Sequence, residues 1–330
     1  MPDYEEFAMS NTKACMLSAA TFMLVSLNAQ AQPFPAKPIR IVVPLAAGGP
    51  GDVLARSVAQ KLTENVGQQV VVDNRPGANT NIGNEAVAKS APDGYTLLAT
   101  ASTLTINPAL YANLTYDAVK SFAPVTLIAW TPLVLVVHPS LPVKSVPELA
   151  ALAKAKPGQI YYGSAGSGSV LHLAGEMFNT MGRVKLVHVP YKGVTNAFSD
   201  LLGGQISLMF PGAPIALPQA RAGKLRALAT TGEKRAPAAP ELPTVAEMGF
   251  PGYEVSVWYG MLAPAGTPQA TIGRLHTEIV KVVQLPEIAG RWAALGAVPL
   301  TNTPEQFAAF LKNDLSKWAK VVRDSGAKVD

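Results

Sequence analysis

At 330 residues the chain is longer than one hydrophobic core usually organises, so two domains are expected. Hydrophobic residues make up 48% of it and charged residues only 15%, which excludes a disordered chain. The net charge of +5 comes from scattered Lys and Arg with no basic run interleaved by aromatics, and this argues against nucleic acid as a partner.

In chain order, the first feature reads as an export signal. Lys13 precedes an apolar run from Ala14 to Leu27, and Ala29-Gln30-Ala31 fits a small-x-small cleavage site, so residues 1–31 are expected to be removed. The run of 14 residues is too short to span a bilayer, and no later segment qualifies. Asp3, Glu5 and Glu6 make the extreme terminus acidic, which is unusual for a signal; Met9 is the alternative start, and a buried N-terminal helix is the competing reading. The one cysteine, Cys15, lies inside the run and lacks the small-residue context of a lipid-attachment site, so the mature chain would hold no disulfide and no cysteine-based metal or redox site. Cleavage turns 27 basic and 22 acidic residues into 26 and 19, a net +7 that could steer small anions inward. The alternative is that these charges are single positions on solvated faces.

Next, Ile39 to Leu62 predicts a strand, a turn of small residues, and a helix with Leu54, Val58 and Leu62 at four-residue spacing. Residues 70–74 (VVVDN) predict a second strand, 81–89 a short helix and 95–100 (YTLLAT) a third strand. Strands alternating with helices indicate βαβ units and a mostly parallel sheet. Apolar runs at 125–129 and 133–138 stand back to back and predict a strand that leaves one domain and enters another. A helix at 145–155, a strand at 159–163, the strands KLVHVP, ISLMF and LRALAT with helices between them, and a returning strand at 253–264 follow. Helices at 268–283, 286–294 and 304–324 close the chain. The expected division is a first lobe from 32–130 with 256–330 and a second lobe at 131–255. A hinge then lies between them and a ligand cleft beyond the carboxyl ends of the strands.

Two strand–turn–helix units stand out. The first turn is Ala46-Ala47-Gly48-Gly49; the second is Ser164-Ala165-Gly166-Ser167-Gly168-Ser169. Neither contains a Lys or Arg. A helix N-terminus carries unpaired N–H groups and about half a positive charge, and small residues let a ligand approach it, so each turn could hold an anion by its backbone. The bland alternative is tight strand–helix packing. His172 follows the second turn and could donate to a ligand or serve as a packing histidine; Asp52 reads as a helix N-cap rather than an acid catalyst.

Motifs for catalysis are missing. There is no G-x-x-x-x-G-K-[ST], Gly163, Gly166 and Gly168 run in the wrong order for a dinucleotide fingerprint, and no serine sits in G-x-S-x-G. The histidines at 138, 172, 188 and 276 are dispersed, so no metal site and no cofactor are expected, and no nucleophile stands beside a base in the sequence. An enzyme is therefore not expected; a periplasmic enzyme acting on small acids is the reading of a different class.

The sequence resembles the periplasmic solute receptors of the tripartite tricarboxylate transporter group, the Bug receptors. KPIRIVVPLAAGGPGDVLAR (37–56), VVVDNRPGA (70–78), APDGYTLLAT (91–100), FAPVTLIA (122–129), VPYKG (189–193), AGKLRALATT (222–231), PTVAEMGFPGYE (243–254) and WYGMLAPAGTP (258–268) carry the resemblance in order. It implies an α/β, two-lobed type II periplasmic binding protein fold that closes on a small carboxylate, gripped by backbone N–H groups and waters. It also implies delivery to a small and a large membrane component, or signalling to a membrane sensor kinase, by a periplasmic monomer. Carried over onto this chain, the site comprises Ala46, Ala47, Gly48 and Gly49, then Thr100, Ser102 and Thr103. The second lobe adds Ser164, Ala165, Gly166, Ser167, Gly168, His172 and Tyr191, though Tyr191 could equally be a wall residue. Leu45 stands where the family often has an aromatic, implying a more aliphatic wall. Pro211 follows ISLMF where an aspartate is common, which removes a partner for a cationic amine and favours a carboxylate without an amino group. Thr195 and Asn196 depart from the usual pattern and offer further polar contacts.

Overall fold

The computed structural model describes residues 34–329, so the export-signal reading of residues 1–31, with Lys13, Cys15 and the cut after Ala31, lies outside the described residues. The first strand–turn–helix unit forms as the pattern dictates. Strand β1 (Ile39–Val43) is followed by helix α1 (Pro50–Val66), with Pro50 in its first turn and Gly67 closing it at φ 69°. Leu54, Val58 and Leu62 are fully buried along one face, each contributing about 1.5–3 kcal/mol. Strand β2 (Val70–Asn74) and, after helix α2 (Asn81–Ala88), strand β3 (Thr96–Ala101) pair parallel to β1 on either side.

The next element was not anticipated. Helix α3 (Thr103–Leu110) contains Pro108, which in sequence reads as a breaker. Strands β4 (Phe122–Pro132), β10 (Ser256–Pro264) and β11 (Val298–Pro299) complete the first sheet, in the order β11-β4-β10-β3-β1-β2. The second sheet uses β5 (Val134–Val137), β6 (Ile160–Ser164), β7 (Leu186–Pro190), β8 (Leu208–Met209) and β9 (Arg226–Thr230), in the order β7-β6-β8-β5-β9. Its helices are α4 (Val146–Ala155), α5 (Val170–Gly182), α6 (Val194–Leu202) and α7 (Ala213–Arg221). Helices α8 (Gln269–Val283), α9 (Pro286–Ala293) and α10 (Pro304–Ser325) end the chain.

The expectation of mostly parallel sheets needs correction. Each sheet is parallel at one side, where βαβ units lie, and antiparallel at the other. The cause is the crossing chain: β4, β5 and β10 pass between the sheets and pair with strands of the opposite direction. The passage from β4 to β5 takes a single residue, Leu133; the return runs from Thr231 to Val255.

A third connection is side-chain packing. Helix α10 starts at a capping box between Thr303 and Gln306 and stops at Gly326, φ 68°. Its 22 residues span about 33 Å, enough to serve two cores. Phe307 and Leu311 pack with Val42, Leu98 and Trp258 under the first sheet. Trp318 and Val322, with Ile106 of α3, join the core of the second sheet. Asp314, between these two pairs, accepts from Thr105 Oγ1 at 2.6 Å and from Trp258 Nε1 at 2.8 Å.

Candidate functional site

The first turn leaves β1 at Pro44 and enters α1 at Pro50, with Ala46, Ala47 and Gly48 exposed and Leu45 and Gly49 half-buried. Gly48 adopts φ 79°, a left-handed conformation that glycine takes without the steric cost of a Cβ. The N-cap is Gly49, so the reading of Asp52 as N-cap is corrected. Asp52 sits one turn later, nearly fully buried, and reaches back over the turn. Its Oδ2 accepts the Gly48 N–H at 2.8 Å and Arg56 Nε at 3.0 Å; its Oδ1 accepts Asn74 Nδ2 at 2.9 Å. Asn74 Nδ2 also donates to the Leu45 carbonyl at 3.1 Å. Burial works to raise the Asp52 carboxyl, but the bonds from Arg56, Gly48 and Asn74 hold it below the usual carboxylate range.

This clamp changes which amides can serve a ligand. The Gly48 N–H is spent on Asp52, and the Gly49 N–H on the Ala46 carbonyl at 3.3 Å. Among the described residues the N–H groups of Ala46 and Ala47 donate to no protein acceptor. The donors therefore lie two residues earlier than the glycines suggest.

The second turn has the same course and different anchors. Ser164 is fully buried; its Oγ accepts the Gly166 N–H at 3.1 Å and stands 2.7 Å from His188 Nε2. Gly168, at φ 79°, donates its N–H to His172 Nδ1 at 3.0 Å. Ser169 caps α5 by accepting the His172 N–H. The His172 and His188 rings stack with centroids 3.8 Å apart, and burial, then the neighbouring His172, pushes His188 down to about 3. Ala165, Gly166 and Ser167 are half-buried on the turn itself. His172, for which both roles were open, is itself buried with Nδ1 committed to Gly168.

Several predicted side chains stand behind the surface. Thr100 is buried and donates to Asn84 Oδ1 at 3.2 Å. Ser102 is buried, accepts the Trp258 N–H at 3.0 Å and thereby ties the end of β3 to β10. Pro211 is buried and its carbonyl accepts the Val134 N–H at 2.8 Å. The two hydroxyls were expected to face a ligand; instead Thr100 bonds to Asn84 of α2 and Ser102 to β10, while the Pro211 carbonyl pairs with the start of β5. Thr103 is half-buried and accepts from Thr80 Oγ1 at 2.9 Å. Tyr191 donates its O–H to Asp200 at 2.7 Å; burial, then that bond, pushes the phenol up to about 12. Its carbonyl packs beside Gly166, where a Cβ would come within 3.3 Å of it. Thr195 and Asn196 are exposed in the first turn of α6.

Two features escaped the sequence. The ring of Tyr259, on β10, covers the start of α1: a Cβ on Gly51 would lie 3.2 Å from it. Burial pushes that phenol up to about 12. The second is the segment Ala78–Thr80, where three consecutive non-glycine residues have positive φ, 46°, 50° and 77°. Such strain persists only where surrounding bonds over-determine it. Here Asn107 and Asn79 exchange bonds of 2.7 Å, and Asn84 reaches Thr80 and Tyr116. The cluster of Asn and Thr in GANTN was the only sequence signal for it.

The fold does bring a hydroxyl to an imidazole that stands apart from it in the sequence, Ser164 Oγ to His188 Nε2. The pair is not built for attack. Ser164 is inaccessible, its Oγ is also bonded to Gly166, and His188 is a weak base in this setting. Among the described residues no group of three His, Cys, Asp or Glu could hold a metal, and no helix is long and apolar enough to cross a membrane.

BugT of Bordetella pertussis (strain Tohama I / ATCC BAA-589 / NCTC 13251) is 38% identical over 307 residues, covering 92% of this chain and 94% of BugT. The solved structure of R. palustris Rpa4515 with adipate matches with a TM-score of 0.77 at 36% identity, covering 90% of this chain and 100% of that one. MatC from Rhodopseudomonas palustris with bound malate matches with a TM-score of 0.73 at 31% identity, covering 88% and 100%. The two solved structures share the α/β fold of this chain. Residues 54–327 match the family described as "Tripartite tricarboxylate transporter family receptor", and the chain belongs to that family of Bug-type receptors.

Proposed function

We propose that this protein is a periplasmic receptor that captures a small dicarboxylate lacking an amino group, and hands it to a tripartite tricarboxylate-type membrane transporter with one small and one large component. The lobes in this reading are 32–130 with 256–330, and 131–255, closing over a cleft bordered by the two glycine turns. One observation carries it: Ala46 and Ala47 present unspent amides on an exposed turn that the buried Asp52 clamp holds rigid at a helix N-terminus. Preorganised donors cost little ordering on binding, and a helix tip favours a carboxylate. Receptors of similar fold solved with adipate and malate support the choice of a dicarboxylate. Pro211 in place of an acidic side chain leaves an ammonium group unmatched, which supports the lack of an amino group.

A thermal-shift screen of mono-, di- and tricarboxylates on the mature protein tests the reading. A ligand at a hundred times its Kd adds about 2.7 kcal/mol of stability, which raises Tm by several degrees. One dicarboxylate should stand out over its amino-substituted analogue. A flat response across the panel, or a preference for amino acids, would refute it.

A further inference from the structure

Away from the glycine turns, a cavity of about 540 Å³ opens where the chain passes between the sheets. Its walls come from both crossing strands, from α10, and from the segment joining β9 to β10. Trp130, Trp258 and Phe310 supply aromatic surface, with Leu300 exposed at the edge. The volume is that of a small-molecule site, and its wall combines aromatic surface with the charged side chains of Glu233, Lys234, Glu254, Asp314 and Lys317.

The polar groups carry a surplus of negative charge. Lys317 Nζ lies 2.6 Å from Glu254 Oε2 and 3.0 Å from Asp314 Oδ1, so one ammonium serves two carboxylates. Burial works to lower the Lys317 pKa, yet the Asp314 and Glu254 charges outweigh it and the group stays protonated. The second oxygen of Asp314 is taken by Trp258 and Thr105. Glu254 Oε1 has no hydrogen-bond partner among the described residues, and the Glu254 side chain is about one-third exposed. The exposed Glu233 and Lys234 also line the cavity, and their opposite charges offset each other.

An aromatic cavity with one surplus carboxylate is complementary to a cation on an apolar body: the ring packs on Trp130 and Phe310, and the ammonium takes the free Glu254 oxygen. We infer that this hinge cavity is a second binding site, separate from the carboxylate cleft, for a small organic amine bearing an aromatic or other flat apolar group. Its charge preference is opposite to that of the glycine turns, and it shares no residue with them.

Calorimetric titration of the intact protein with 2-phenylethylamine, and with 2-phenylethanol as its neutral isostere, tests this. The amine should bind one-to-one and at least tenfold more tightly than the alcohol. Glu254→Gln should weaken the amine at least tenfold while leaving the alcohol unchanged. Leu300→Trp, placed at an exposed position so that folding is undisturbed, should fill the cavity and abolish amine binding. Gly48→Asp, in the other site, should leave the amine's affinity as it was. Equal affinity for amine and alcohol, no saturable heat with the amine, or full binding to Glu254→Gln or Leu300→Trp would overturn the inference. Loss of amine binding in Gly48→Asp would overturn it too, by placing the amine in the cleft.

Discussion

The two glycine turns follow the same backbone plan and are held by opposite chemistry. The first is pinned by a buried charge: Asp52 takes the Gly48 N–H and is matched by Arg56 and Asn74. The second is pinned by neutral groups, a serine at its start and a histidine at its end, with the two imidazoles stacked behind it. Their surroundings differ as well. A Cβ at Gly48 would meet nothing within 4 Å, whereas one at Gly168 would press on Leu110 at 2.7 Å and Val329 at 2.9 Å. The first turn is open and electrostatically clamped; the second is packed and built from neutral hydrogen bonds. Similar shape therefore does not mean similar sensitivity to charge, bulk or acid.

The largest test of that contrast is on binding. Gly48→Asp puts a carboxylate on the exposed first turn, at a φ that Asp tolerates better than most residues, and should cost at least about 100-fold in dicarboxylate affinity, or about 2.7 kcal/mol, by like-charge repulsion. Calorimetry with the screened ligand reads this, with far-UV circular dichroism confirming the fold. Unchanged affinity would move the anion away from the first turn.

Breaking the clamp comes next. Asp52→Ala takes the acceptor away from the Gly48 N–H and the Asn74 amide and removes the partner of Arg56. Because Arg56 is half-exposed, the expected loss is at the lower end for such pairs, about 2–3 kcal/mol by urea unfolding. A loss under half of that would show that the clamp is dispensable.

Bulk should then separate the turns. Gly48→Ala bears only the left-handed strain, about 1 kcal/mol, while Gly168→Ala adds overpacking against Leu110 and Val329 and should reach about 2–3 kcal/mol. Equal losses would erase the packed-versus-open distinction.

Acid stability separates the turns in a different way. Folded His188 stays neutral down to about 3, while the unfolded chain takes up that proton below its usual value of about 6.5. Unfolding is therefore favoured as pH falls through this window, by at most about 1.4 kcal/mol per pH unit. His188→Gln should flatten the decline between pH 6.5 and 4.5. Asp52, whose carboxyl is held low, contributes stability above about pH 4 and loses it only below, so Asp52→Asn should leave that window unaltered. A pH profile identical in wild type and His188→Gln would refute the assignment.

Much of this architecture is legible in the sequence, and the exceptions have physical causes. The strand–turn–helix units, the back-to-back apolar runs at the crossing and the terminal helices were legible because hydrophobic period and turn residues are local signals. Helix α3 was not, since Pro108 argues against it and only packing of Leu104 and Ile106 into two cores overrides that. The glycine turns were legible as backbone features, yet Gly48 itself proved spent, because the acceptor that claims it arrives from a side chain one helical turn later. Thr100 and Ser102 looked like site hydroxyls by position and are consumed by Asn84 and β10, partners distant in sequence. Tyr259 and the strained Ala78–Thr80 segment gave almost no local sign.

What the amino-acid order determined by itself was most of the succession of elements and the small-residue turns that precede two helix N-termini. These depend on φ freedom, periodicity and helix termini, all properties of neighbouring residues. Tertiary structure alone decided which amides stay unspent, which histidine nitrogen holds a turn, and that Glu254 lines a partly aromatic cavity where the chain passes between the sheets. Hydrogen bonds and charges are settled by whichever partner the fold brings within reach, and those partners come from far along the chain.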